Sequence, residues 1–148
     1  MNKLFKKYVV FFFLTIISLG GSLPAMAKPT IEVDALRVIL PPSVATSTAI
    51  CGVIKNTGDE LDTLIRISSN AGMVMLHKTE LMSGHAQMNH IKTYIIESGG
   101  ALSLQAMSYH LMIMGINHDA IKKNGEISLT LEFEKQGKLI FKIPVRLN

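Results

Sequence analysis

The chain has 148 residues, a formal net charge of +4 and a single Cys. That length suits one domain with a core of its own, and one Cys excludes an internal disulfide. The charge sits at the start: without Lys3, Lys6 and Lys7 it falls to +1, so residues 28–148 have no basic cluster of the kind that nucleic acid or an anionic membrane surface would need.

Residues 1–27 read as a secretory signal peptide. Three Lys open it, an apolar run follows from Tyr8 to Leu19, Gly20, Gly21 and Pro24 break the run, and Ala25-Met26-Ala27 offers a small-x-small cleavage site. Cleavage is expected after Ala27, leaving 28–148 as one exported domain. The run is shorter than the ~20 residues a spanning helix needs, and no Cys stands at the junction to take a lipid.

The exported part reads strand after strand. Candidates lie at 31–38, ended by Pro41-Pro42, at 46–55, ended by Asn56-Thr57-Gly58-Asp59, at 61–69 and at 73–77. Residues 79–87, with Ser83-Gly84, read as a loop, and 88–96 as a weaker strand. A turn at 97–100, a short strand at 101–104 and a strongly apolar strand at 109–116 come next, then a helical turn at 119–123. Ile127, Leu129, Leu131 and Phe133 alternate with polar residues, Lys135-Gln136-Gly137-Lys138 turns, and Leu139, Phe141, Ile143 and Val145 alternate again, which predicts a hairpin with one buried face. Pro144 predicts a free edge at its position. About nine short strands make an all-β sandwich or Greek-key barrel.

Four residues carry chemistry: His77, Met88, His110 and Met112. Thioether sulfur is a soft, uncharged donor that favours Cu(I), and imidazole suits copper as well. Zinc sites use Cys, His and carboxylates instead. His110 and Met112, two apart on a strand, share a face, while Leu111 and Ile113 face the core. Using no thiolate spares such a site from disulfide chemistry. Met73, Met75 and Met114 read first as core packing, with Met75 also a spare ligand; Met82 and Met107 flank the site or are simply exposed. His85 and His90 are either solvated loop residues or additions that would suit Cu(II), and His118 beside Asp119 reads as turn chemistry. Cys51, between Ile50 and Gly52-Val53-Ile54, reads as a small buried hydrophobe, with nothing nearby to activate it.

The order is His, ten residues, Met, twenty-one residues, then His-x-Met. This resembles the periplasmic copper chaperones called PCu(A)C, or DUF461. The likeness runs from Ile31-Glu32-Val33-Asp34-Ala35 through Asn56 and the 61–69 strand to Tyr109-His110-Leu111-Met112-Ile113-Met114-Gly115 and the final hairpin. It implies a cupredoxin-like β-barrel in the periplasm that binds one Cu(I) at His77, Met88, His110 and Met112. It also implies delivery of copper toward the CuA centre of cytochrome c oxidase subunit II, alongside a Sco-like thioredoxin-fold partner; a monomer is expected. Three departures stand out: Lys78 where many relatives have Met, Gln105-Ala106-Met107-Ser108 in place of Pro-Gly-Gly, and no His/Met-rich tail before Asn148.

Two other functions compete. A blue-copper electron carrier needs a Cys thiolate with two His, and Cys51 is far in sequence from every His. A metal-free exported β-sandwich would bind a partner through an exposed edge. An enzyme is not expected, since HExxH and GxSxG are both absent.

Overall fold

The computed structural model describes residues 27–147, and among them the only regular elements are strands. In chain order these are β1 (Ile31–Ile39), β2 (Ser47–Asn56), β3 (Asp62–Ser69), β4 (Met73–Met82), β5 (His85–Ile91), β6 (Tyr94–Ile96), β7 (Ala101–Leu104), β8 (Tyr109–Met114), β9 (Glu126–Phe133) and β10 (Gly137–Arg146). The leader expected over 1–27 lies outside the described residues, Ala27 apart. Hydrogen bonds join the strands in the order β5-β4-β8-β2-β1-β10-β9-β3-β6, with β7 also paired to β2. The sheet curls into a nearly closed barrel, and Ser69 bridges Gly72 where β3 turns into β4.

Side-chain alternation decides what the barrel encloses. Strand β9 buries Ile127, Leu129, Leu131 and Phe133, and β10 buries Ile143 and Val145. Leu76 on β4, Leu111 and Ile113 on β8, and Ile50 and Ile54 on β2 complete the interior near the strands of interest. Asp62 is fully buried, and its carboxylate accepts hydrogen bonds from the backbone N–H groups of Thr63, Lys135 and Gln136, at 2.8, 2.9 and 2.9 Å. These tie the β9–β10 turn to β3. Pro144 lies inside a strand flanked by β9 and β1, but β1 pairs with β10 only at Val145 and Arg146, just beyond the proline. The missing N–H therefore interrupts no ladder with β1.

The structure corrects the sequence reading at four places. Residues 79–87 are not a loop: β4 runs on to Met82, turns at Ser83-Gly84 and returns as β5. Ser83 and Gly84 have φ of 53° and 80°, the two left-handed positions of a type I′ hairpin turn. Beyond Lys78 this ribbon has left β8, and most of its residues are exposed or half-buried on both faces, so it has no buried stripe to reveal it as strand. The 88–96 strand is two strands, β5 and β6, at opposite ends of the sheet order. The helical turn at 119–123 is one turn starting earlier, where the Asn117 carbonyl accepts from Ala120 and Ile121 N–H. Cys51 is half-buried rather than enclosed; it sits on the outer face of β2, where it lines a groove with Arg37, Gln105 and Ala106.

Strand β2 changes partner near Cys51. Its Gly52 faces Leu104 of β7 and its Ile50 faces Leu111 of β8, so residues 105–108 leave the sheet and come back. Gln105 N–H donates to the Tyr109 carbonyl at 2.6 Å and closes this excursion. Opposite it, β1 bulges between Asp34 and Arg37, with Ala35 at φ 51°. Gly52 has to be glycine here: its φ is 136°, and a Cβ would lie 2.7 Å from Leu36 Cα.

Candidate metal centre

The register of three neighbouring strands builds the site. Across β5, β4 and β8, His90, His77 and His110 stand directly opposite one another. Facing residues on paired strands point to the same side, so the three imidazoles form one row. The His77 ring is 5.9 Å from His110, nearly stacked at 25°, and 5.7 Å from His90 at 47°. Met75 of β4 faces Met112 of β8 one step along, and Met73 faces Met114 beyond that. The outer face of β4 and β8 is therefore a histidine row followed by a methionine stripe. Leu76, Leu111 and Ile113 point the other way into the core, as the His-x-Met alternation required.

His110 is held firmly. It is 5% exposed, and its Nδ1 lies 3.2 Å from the Ser108 carbonyl. A carbonyl only accepts, so Nδ1 carries the proton and Nε2 keeps its lone pair for a metal, the usual arrangement of a ligating histidine. The same Ser108 carbonyl accepts from Thr79 N–H at 3.0 Å, so the 105–108 excursion that replaces Pro-Gly-Gly clamps β4 and β8 together beside His110. His77 differs: its Nδ1 is buried, and among the described residues no donor or acceptor lies in hydrogen-bonding geometry with it. Leaving such a group unpaired is costly unless something binds there. Burial first, then the charges of His110 and His90, lower the His77 pKa below its ordinary value, against a smaller raising effect of the Met75 backbone, and so favour the neutral ring that a metal ligand needs.

Met112 lies one step from His110 on the same face and is half-buried. Met88 is the outlier. It faces Thr79 on the projecting ribbon, not His77, and is 58% exposed. Met112 is four residues along and two strands across from it in register, roughly 16 Å between Cα atoms on a flat sheet. Meeting Met112 at one ion requires the ribbon to coil over the row. A two-stranded ribbon twists more freely than a wider sheet, and among the described residues β4–β5 has no third strand beyond Lys78.

The structure also places the residues whose roles the sequence leaves open. His90 and Met75 join the row and the stripe, whereas exposed His85 pairs with Met82 at the far end of the ribbon. Lys78, directly after His77, points to the opposite face from it; it pairs with Glu80 at 2.7 Å and sits 5.5 Å from the Tyr109 ring centroid. Among the described residues no three His, Cys, Asp or Glu side chains converge on a metal position. Cys51 is distant in sequence from every histidine, yet it lies one strand from His110: continuing the Ile50–Leu111 pairing by one residue sets the two opposite. Counting along β2 from a known β2–β8 pairing finds it; sequence separation alone does not.

A family model described as putative lipoprotein LpqE-like matches residues 31–145. No curated protein matches the chain. Among solved structures, the copper-bound PCuAC domain from PmoF2 is 18% identical over 80% of this chain and 93% of its own, with a TM-score of 0.64. The solution structure of apo-DR1885 from Deinococcus radiodurans is 21% identical over 100% of this chain and 97% of its own, with a TM-score of 0.61. That of CuI-DR1885 from the same organism is 23% identical over 84% and 81%, with a TM-score of 0.62. The shared fold is the cupredoxin-like barrel.

Proposed function

The chain belongs to the LpqE-like putative lipoprotein family, the group also called PCu(A)C or DUF461, and from that membership and the geometry of its outer face we propose that it is an exported copper chaperone. It takes one Cu(I) as cargo through His77, His110, Met112 and Met88. The observation that carries this is the facing His77–His110 pair, rings 5.9 Å apart, with a buried and unpartnered Nδ1 on His77. The fold is also that of a copper-bound PCuAC domain and of CuI-DR1885.

The donors suit a carrier. Two neutral imidazoles and two thioethers leave the single charge of Cu(I) uncompensated and use no thiolate, so the ion is held by soft donors and can be passed on. The exposed Met88 gives an acceptor's ligand a place to enter by displacement. The periplasm is the compartment of action, after cleavage behind Ala27, and the acceptor is the CuA centre of cytochrome c oxidase subunit II, reached directly or through a Sco-like thioredoxin-fold protein. The protein acts as a monomer and catalyses no reaction. The blue-copper alternative would need Cys51 with His77 and His110, and these do not converge.

X-ray absorption on protein loaded with Cu(I) under anaerobic conditions tests the ligand set. Mixed sulfur and nitrogen donors are expected. An all-nitrogen shell, or failure to retain Cu(I) against a weak chelator, would sink the proposal.

A further inference from the structure

The copper-carrier reading gives His90 no task, although it completes the histidine row. We propose that His90 and His77 together form a nitrogen-donor position for Cu(II), next to the Cu(I) position and sharing His77 with it. The inference rests on the copper-carrier reading but concerns a different oxidation state and a different residue.

The geometry permits it. Two imidazoles on one metal ion, each about 2 Å from it through a ring nitrogen, have centroids at most about 6 Å apart. The His77–His90 separation of 5.7 Å lies within that limit, and so does the 5.9 Å between His77 and His110. His77 stands in the middle and can serve either neighbour. The two sides of it differ in the donors they add. Toward β8 lies Met112, a thioether beside buried His110. Toward β5 lies exposed His90 on an edge strand open to water. Cu(II) prefers nitrogen and oxygen donors in tetragonal geometry, and Cu(I) accepts thioethers. The β5 side, with two imidazoles and water to fill the remaining positions, suits Cu(II); the β8 side suits Cu(I). The nearest carboxylate on the ribbon, Glu80, is on the opposite face of β4 from His77 and is engaged by Lys78 and Asn89, so it does not compete for the ion. His85, the other ribbon histidine, is five register positions away opposite Met82 and serves as an internal control.

Titrating the metal-free protein with aqueous Cu(II), read by pulsed electron paramagnetic resonance, tests this. Wild type should show two coordinated imidazoles. His90→Gln should show one and bind Cu(II) at least tenfold more weakly, with Cu(I) affinity against a chromophoric chelator within about twofold of wild type. His85→Gln should change neither. An unchanged imidazole count in His90→Gln, or an equal loss in His85→Gln, would overturn the proposal. Failure of wild type to hold Cu(I) would strike the chaperone reading instead, because the Cu(II) readout does not depend on it. The edge position and exposure of His90 make the substitution safe for folding.

Discussion

His110 and Met112 stand on a strand flanked by β4 and β2, while Met88 stands on β5, paired among the described residues to β4 alone. The first two are buried or half-buried, and His110 is pinned by the Ser108 carbonyl. Met88 is 58% exposed on a ribbon that has left the barrel. A proposed site assembled from one rigid side and one outlying side has unequal ligands. The rigid side has its geometry settled by folding, so binding loses little entropy there. The outlying side must be ordered on binding, which subtracts from what its thioether contributes.

The largest expected effect comes from that inequality. His110→Ala or Met112→Ala should weaken Cu(I) binding tenfold or more, about 1.4 kcal/mol at the least, whereas Met88→Ala should cost only about threefold. Competition with a chromophoric chelator measures all three. Equal losses for Met88 and Met112 would mean that the ribbon is already folded over the row before copper arrives, and the contrast between the two sides would be lost.

A smaller effect probes the middle of the row in the metal-free protein. His77 should titrate below 6.5, chiefly because burial disfavours its charged form, with the charges of His110 and His90 adding to that. His90→Gln should move the midpoint upward, yet leave it below 6.5. With the folded pKa depressed, the unfolded chain binds the proton more readily. The His77 contribution to stability is thus undiminished above about pH 6.5, declines as pH falls below it, and levels off beneath the folded pKa. Two-dimensional NMR of the imidazole protons follows the midpoint. A value at or above 6.5 would mean that the row is more open to water than its geometry implies.

Much of the fold and part of the site are legible in the sequence. Ile127 to Phe133 and Leu139 to Val145 announce their hairpin because one face is buried and the other is not. His110 and Met112 announce a shared face through the period of two. The ribbon escapes because a hairpin wet on both sides leaves no alternation, and Ser83-Gly84 looks the same in a loop as in a type I′ turn. His90 escapes for a related reason. Its importance lies in pairing with His77, and that register follows from the Ser83-Gly84 hairpin turn, which stays hidden as long as 79–87 reads as a loop. The ligand set itself comes from the spacing of four residues and the family it resembles, not from anything that sequence periodicity could place in space.

The smallest expected effect concerns the residue whose position differs most between sequence and structure. Continuing the Ile50–Leu111 pairing by one residue sets Cys51 opposite His110, which makes its thiol the one to test as a competing copper ligand. One feature sets it aside: the excursion carrying Ser108 supplies Gln105 and Ala106 as walls of the groove that Cys51 lines. Cys51 therefore lines that groove with Arg37, on the β1 side, while the proposed copper donors lie on the β4 side. Cys51→Ser should leave Cu(I) affinity within about twofold of wild type and should not change the donor ratio seen by X-ray absorption. A tenfold loss, or one fewer sulfur at the metal, would move the centre of the site from β4 toward β2 and make Met88, on the far ribbon, the ligand to discard.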